Sequence, residues 1–138
     1  MTALAGLAFL AAGHQSGRGD YGHNIDRALA FVLSCGSPDG YVTHKKSRMY
    51  SHAFATLFLA EAYGMTWRPD LRARLQRAVD FIVGSQNAEG GWRYEPQPTG
   101  ADISVTIMQV MALRAAKNAG MHVPDNTLKK AIAYVKSC

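Results

Sequence analysis

RAVDFIVGSQNAEGGW, residues 77 to 92, joins an amphipathic segment to a glycine pair and a tryptophan. Apolar residues such as Val79 and Ile82 recur at helical spacing, with charged residues between them, which predicts a helix with one buried face. Gly90 and Gly91 allow the chain to reverse direction tightly, because glycine adopts backbone conformations closed to other residues. The stretch therefore predicts an amphipathic helix, a tight turn and the start of another element.

The apolar stripe of this helix occurs three times along the chain. The aligned positions are Ile25, Ala28, Leu29 and Val32; Leu75, Ala78, Val79 and Ile82; and Leu128, Ala131, Ile132 and Val135. We therefore expect amphipathic helices near residues 24–35, 70–85 and 125–137.

Three further segments, near residues 2–12, 50–63 and 102–119, are apolar on nearly every side. A helix that is apolar all round is buried all round. Amphipathic helices thus alternate with buried ones, which predicts an all-α fold of tandem α-hairpins with an outer and an inner layer. A repeat of roughly fifty residues with two helices per unit is typical of helical arrays.

Glycines and capping residues separate these segments. Gly13, Gly64 and Gly120 follow the three apolar segments and are predicted as left-handed residues that end helices. Asn24 is predicted to cap the first amphipathic helix, and Pro124 and Asp125 to begin the last one.

Length and composition limit the class of protein. The 138 residues, 48% hydrophobic and 18% charged, predict a single globular domain and exclude disordered and collagen-like chains. The formal charge is +5, with a basic loop formed by His44, Lys45, Lys46 and Arg48. No aromatic residues alternate with the basic ones, so a nucleic-acid partner is not expected.

Two features bear on the cellular compartment. Cys35 and Cys138 are isolated and are predicted to be free thiols, as in a reducing compartment. The apolar run that begins at Ala3 has no basic residue before it and is too short to span a bilayer. We expect no signal peptide, no transmembrane segment and, by default, a cytoplasmic location.

Residues 77–92 resemble the QW repeat of squalene and oxidosqualene cyclases at every position that the repeat specifies, from Arg77 and Ala78 through Phe81 and Ile82 to Gln86, Gly90 and Trp92. That family shares an α/α-toroid fold with the β-subunits of protein prenyltransferases. The resemblance implies a toroid, or an arc of one, in which Gln86, Gly90, Gly91 and Trp92 join neighbouring repeats. Three hairpins are about half of the usual number, which suggests that two copies could associate to complete a ring.

In such toroids the N-terminal ends of the inner helices line the cavity. The resemblance therefore implies cavity positions at Tyr50, His52, Trp92, Tyr94 and Ser104, and a catalytic candidate at Asp102. Squalene-hopene cyclases carry Asp-x-Asp-Asp-Thr here, but this chain has Ser104 and Val105 where the second and third Asp belong. A hydroxyl cannot protonate an alkene, so this segment does not supply that acid. Asp102 also suits a helix cap.

The prenyltransferase pattern of Asp-x-Cys with a later His, which holds zinc, is incomplete as well. Ser104 replaces the cysteine, while Pro96 and Thr99 replace an Arg and a Lys that bind diphosphate. His52 could be a ligand, but its position near a helix start also suits a hydrogen-bonding role. We predict no metal site and identify no cofactor.

Three functions remain open. The chain could be part of an isoprenoid-handling protein of the cyclase and prenyltransferase group, which binds an isoprenoid or another hydrophobic small molecule and has its catalytic residues elsewhere. It could be a non-catalytic binding or scaffold module. It could also be another enzyme on the same frame, such as one acting on glycans, although no paired carboxylates support this.

Overall fold

Six α-helices make up the chain in a computed structural model that describes residues 1–45, 47–66, 68–97 and 99–138. They are α1 (Thr2–Ala11), α2 (Gly22–Ser34), α3 (Met49–Thr66), α4 (Pro69–Gly84), α5 (Ile103–Asn118) and α6 (Asp125–Ser137). No strand is present in these ranges, which confirms the all-α prediction. Lys46 of the basic loop lies outside the described residues.

The helices form two rows. Helix α3 packs against both α1 and α5, so these three lie side by side. Helices α2, α4 and α6 each pack against the helix that precedes them, which makes three successive hairpins. Ten residues of α3 are buried, among them Phe58, Leu59 and Tyr63. The core is therefore centred on α3.

The prediction that all three apolar helices are buried on every side is wrong for α1 and α5. Helix α1 buries only Ala3, Gly6 and Leu10, and α5 leaves Ile107 and Met111 exposed. The physical reason is position: within the described residues, α3 has a neighbouring helix of its row on both sides, whereas α1 and α5 each have one.

Two predicted helix ends also need correction. Gly64 lies inside α3, which continues to Thr66. The helix stops there because Pro69 favours an extended backbone at Arg68, whose φ and ψ are −67° and 122°. Asn24 lies within α2, which begins at Gly22 and has no side-chain cap. The other two glycines, Gly13 and Gly120, have the positive φ expected of helix ends.

The loops after α2 and α4 have the same backbone hydrogen bonds, fifty residues apart. We call residues 35–42 the first repeat turn and residues 85–92 the second. Ser37 N–H donates to Tyr41 O at 2.9 Å, and Asn87 N–H donates to Gly91 O at 3.0 Å. Gly40 N–H donates to Ser37 O at 3.0 Å, and Gly90 N–H donates to Asn87 O at 3.1 Å. The two turns are thus one structural unit that occurs twice.

Each repeat turn lies against the outer helix of the following hairpin. Gly40 and Gly90 have φ of +97° and +96°. A Cβ on Gly90 would lie 2.5 Å from the carbonyl oxygen of Lys130 in α6, and a Cβ on Gly40 would overlap the carbonyl of Arg77 in α4. The hairpins therefore pack backbone against backbone at these two points.

Gly90→Ala tests this close packing, with Gly120→Ala as its control. Both glycines have positive φ, but a Cβ on Gly120 meets nothing within 4 Å. We expect Gly120→Ala to lower the free energy of unfolding by about 1–2 kcal/mol through backbone strain alone. Gly90→Ala must also separate the turn from α6, and we expect this to lower the free energy of unfolding by roughly a further 2 kcal/mol. Urea unfolding measures both, and equal losses would contradict the packing argument.

Candidate functional site

The loop after Trp92 is fastened to the N-terminal ends of α3 and α5. The N–H of Met49, the first residue of α3, donates to Tyr94 O at 2.9 Å. Gln109 of α5 donates through Nε2 to Met49 O, also at 2.9 Å. These two bonds join both helices and the loop at one end of the molecule, where the predicted cavity residues lie.

Four of the predicted site residues come together on the surface at this end, and we call them the surface cluster: Tyr50, Tyr94, Asp102 and Ser104. The rings of Tyr50 and Tyr94 are 6.2 Å apart, and Tyr50 also stacks on Phe54 at 6.3 Å. Tyr94 Oη donates to Asp102 Oδ2 at 3.5 Å, and Ser104 Oγ donates to Asp102 Oδ1 at 2.5 Å. The cluster combines aromatic faces with one carboxylate.

Asp102 caps helix α5. Its Oδ1 accepts the N–H groups of Ser104 and Val105 at 2.9 and 3.0 Å. The hydroxyl of Ser104, followed by the N–H of Val105, holds the pKa of the Asp102 carboxyl below its usual value. A carboxylate held ionised in this way suits a cap, whereas an acid that protonates an alkene must hold its proton.

Trp92 lies in the core, not at an open surface. Its side chain is 1% exposed, and its Nε1–H donates to Ile82 O at 2.8 Å. Its backbone N–H donates to Thr106 Oγ1 at 3.0 Å. Trp92 therefore ties the second repeat turn to α4 and α5, and these contacts favour its joining role over a cavity role.

His52 is also fully buried. Nδ1 accepts the N–H of Val42 at 3.0 Å, so Nε2 carries the proton and donates to Ala78 O at 3.2 Å. Both ring nitrogens are thus occupied, and neither can coordinate a metal in this arrangement. Burial lowers the pKa of His52 to about 4, so the ring is neutral.

His52 and Thr106 occupy equivalent places in successive hairpins. Each is the fourth residue of its helix. Each accepts the backbone N–H of the last residue of a repeat turn, Val42 for His52 and Trp92 for Thr106. The residue types do not reveal this equivalence, because the two side chains are chemically unlike. The spacing from the helix start was the signal that could have shown it.

Gln86 joins the second repeat turn to the third hairpin. Its Nε2 donates to Gly90 O at 2.9 Å and to Thr127 O of α6 at 3.0 Å. Gly36 occupies the equivalent place in the first turn and has no side chain. There Arg74 of α4 reaches back and donates to Leu33 O at 3.2 Å.

An open depression of about 390 Å³ adjoins the surface cluster. It is lined by Arg48, Arg93, Tyr94, Glu95, Gln97 and Thr99. Glu95 Oε1 lies 3.1 Å from Arg48 Nε, and both side chains are largely exposed. Such exposed pairs contribute little to stability, so Arg48 is available to an anionic ligand. Arg93 supplies a second guanidinium.

The described part of the chain contains no group of three or more His, Cys, Asp or Glu side chains placed to hold a metal ion. Among the same residues, no helix is both long and apolar enough to cross a membrane.

No family model matches the chain. Its sequence is similar to that of two curated enzymes. It is 31% identical over 121 residues to a drimenyl diphosphate synthase of Streptomyces showdoensis, covering 84% of this chain and 22% of that enzyme. It is 30% identical over 103 residues to a drimenyl diphosphate synthase of Streptantibioticus cattleyicolor, covering 71% of this chain and 19% of that enzyme. The chain thus spans about a fifth of the length of these relatives.

Substitutions at Asp102 separate its capping role from a chemical one. We expect Asp102→Ala to lower the free energy of unfolding by about 1 kcal/mol, because two N–H groups of α5 lose their acceptor. Asp102→Asn keeps an acceptor oxygen and should retain most of the stability. Urea unfolding measures both variants. If Asp102→Asn costs as much as Asp102→Ala, the charge and not the cap is what stabilises this helix end.

Lowering the pH should destabilise the protein through His52. The pKa is 6.5 when the ring is solvated and about 4 in the fold, so below pH 6.5 the unfolded chain takes up a proton that the folded one refuses. The free energy of unfolding should drop by about 1.4 kcal/mol per pH unit from just below pH 6.5 towards pH 4. Above pH 6.5 the ring is neutral in both states and the effect vanishes.

His52→Gln is the matched variant, because an amide can accept from Val42 and donate to Ala78 without titrating. Its unfolding free energy should be nearly flat across this window, whereas His122→Gln, at an exposed position, should keep the wild-type slope. A slope that survives in His52→Gln would assign the pH dependence to other groups.

Proposed function

We propose that the chain is a repeat segment of a terpenoid-handling protein related to terpene cyclases. The similarity to drimenyl diphosphate synthases over 84% of the chain carries this proposal. The likeness of residues 77–92 to the QW repeat supports it independently, and so does the stacking of similar all-α hairpins. In this proposal the three hairpins form an arc of an α/α-toroid, with α1, α3 and α5 on the inside.

The ligand we propose is an isoprenyl diphosphate. Guanidinium groups bind phosphate oxygens through paired hydrogen bonds, and Arg48 and Arg93 line the same depression. Tyr94 also lines the depression. Its ring lies near that of Tyr50, which stacks on Phe54, and the three rings offer aromatic faces that suit an isoprenoid chain. The diphosphate would thus lie in the depression, and the chain would extend across the surface cluster.

The chemistry of a cyclase is not assigned to this segment. Ser104 and Val105 stand where a proton-donating Asp is needed, and Asp102 is held ionised as a helix cap. We therefore propose that the segment binds and positions the ligand while acids outside it act on the alkene. The second candidate, a non-catalytic binding module, is favoured by the same observation.

Calorimetry with farnesyl diphosphate and farnesol tests the ligand class. We expect farnesyl diphosphate to bind, and Arg93→Ala to weaken it by about tenfold, on the order of one charge-assisted phosphate contact. Arg72→Ala, at an exposed position of α4, should leave binding unchanged. Farnesol should be insensitive to both substitutions.

The outcomes separate the parts of the proposal. If neither farnesyl diphosphate nor farnesol gives a heat of binding, the isoprenoid function is overturned. Binding of both ligands with no effect of Arg93→Ala would keep the function and move the diphosphate elsewhere. Cyclised product formed by this chain alone would contradict the assignment of the acid to residues outside it.

A further inference from the structure

The two guanidiniums of the depression differ in their surroundings. Arg48 Nε lies 3.1 Å from Glu95 Oε1, and both residues line the depression, so Arg48 already has an anionic partner there. Arg93 forms no ion pair with a carboxylate among the described residues. An incoming anion therefore meets one guanidinium that is unpaired and another that it must take from Glu95.

The backbone places Glu95 beside Arg48. Met49 N–H donates to Tyr94 O at 2.9 Å, and Arg48 and Glu95 are the chain neighbours of these two bonded residues. The ion pair thus stands where the loop is fastened to α3. Because this backbone bond holds both residues, the Glu95 carboxylate stays close to the depression when the ion pair opens.

The pair between Arg48 and Glu95 can open without disturbing the fold. The two side chains are 60% and 59% exposed, and such pairs are weak because water competes for both charges. A diphosphate carries more negative charge than one carboxylate, and its oxygens can accept paired hydrogen bonds from a guanidinium. It can therefore displace Glu95 from Arg48.

A displaced Glu95 still opposes the ligand. Its carboxylate remains in the depression with the phosphate oxygens, and like charges repel more strongly as the charge of the ligand increases. The one benefit that Glu95 brings is the orientation of Arg48, and an exposed pair orients a long side chain only weakly. The unfavourable effects on binding therefore outweigh the favourable one.

We propose that Glu95 is an internal competitor of the diphosphate group, which exchanges with the ligand on Arg48 and thereby lowers the affinity of the site. This inference rests on the proposed isoprenyl diphosphate function and specifies what regulates binding at that depression. Arg93 contacts the ligand directly, whereas Arg48 passes between Glu95 and the ligand. Because the carboxylate takes Arg48 back, the exchange also favours release of the ligand.

Glu95→Gln tests the exchange, with Glu89→Gln as its matched control. Glu89 is an exposed carboxylate of the second repeat turn and does not line the depression. Calorimetry with farnesyl diphosphate and with inorganic pyrophosphate measures the affinities, in EDTA so that no divalent cation bridges a carboxylate and a phosphate. We expect Glu95→Gln to bind both ligands about five- to tenfold more tightly, on the order of one like-charge contact at a protein surface. Glu89→Gln should leave both affinities unchanged.

Arg48→Ala separates the exchange from a general repulsion. Without the Arg48 guanidinium there is nothing to exchange, so adding Glu95→Gln to this variant should tighten pyrophosphate binding by at most about twofold. An equal gain with and without Arg48 would overturn the exchange, because Glu95 would then act by repulsion alone. Weaker binding by Glu95→Gln would overturn it too, because the carboxylate would then assist the ligand. Urea unfolding confirms that the variants are folded.

Salt gives a second readout that a purely structural effect of Glu95→Gln would not change. The gain in affinity should shrink as sodium chloride rises from about 0.05 M to about 0.5 M, because ions screen the interactions between exposed charges. A gain that is the same at both concentrations would assign the effect to an altered loop and would overturn the proposal.

The two ligands separate this inference from the function on which it rests. Binding of farnesyl diphosphate that depends on Arg93 but not on Glu95 would overturn the exchange and keep the proposed function. Pyrophosphate binding that Glu95→Gln tightens, with no added affinity from a farnesyl group, would keep the exchange and overturn the isoprenoid function. If neither ligand binds to the wild-type chain or to Glu95→Gln, both proposals are overturned.

Discussion

The structure depends on the close contact between each repeat turn and the outer helix of the next hairpin. Gly40 and Gly90 bring the turn backbone against a helix carbonyl, at a distance that leaves no room for a side chain. This contact fixes how far one hairpin lies from the next. Because it recurs with the same backbone geometry, successive hairpins stack in one direction.

Around this fixed backbone contact, the polar bonds between hairpins are made by different residues. A turn N–H is accepted by His52 in one hairpin and by Thr106 in the next. The second turn reaches forward through Gln86, whereas at the first turn Arg74 reaches back from the following helix. Buried N–H and C=O groups need hydrogen-bond partners. Residues of different types, at different positions, can supply those partners. The repeats are therefore more similar in backbone structure than in side-chain identity.

The sequence predicted the helices well because each depends on local patterns. The period of the apolar residues identified α2, α4 and α6, and Pro124 and Asp102 mark helix starts by chemistry that acts within a few residues. Burial was harder to predict. The apolar composition of α1 and α5 implied complete burial. Burial also depends on neighbouring helices, and in the part of the chain that the structure describes α3 has two in its row while α1 and α5 have one each. Gly64 shows the same limit, since a glycine permits a helix end without requiring one.

The candidate site was predicted in part. The resemblance placed Tyr50, Tyr94, Asp102 and Ser104 at one end of the molecule, and the structure brings them together. It also named His52 and Trp92 as cavity positions, with a hydrogen-bonding role for His52 and a joining role for Trp92 as alternatives. Both side chains are buried and hydrogen-bonded in the core, which agrees with those alternatives. The depression brings Arg48 and Arg93 together although 45 residues separate them along the chain.

The positions of these residues separate those that stabilise the fold from those that can contact a ligand. His52 and Trp92 are fully used in holding hairpins together, and Asp102 is used in holding a helix end, so none of the three is free to change its protonation state or its partners during a reaction. The groups that remain at this end are guanidiniums, hydroxyls, aromatic faces and the exposed carboxylate of Glu95, which pairs with Arg48. Guanidiniums and aromatic faces bind and orient an anionic, apolar ligand, whereas an exposed, ion-paired carboxylate is not the dry acid that protonates an alkene. We therefore propose that the segment contributes a binding surface to a terpenoid-handling protein, while the strong acid lies outside it.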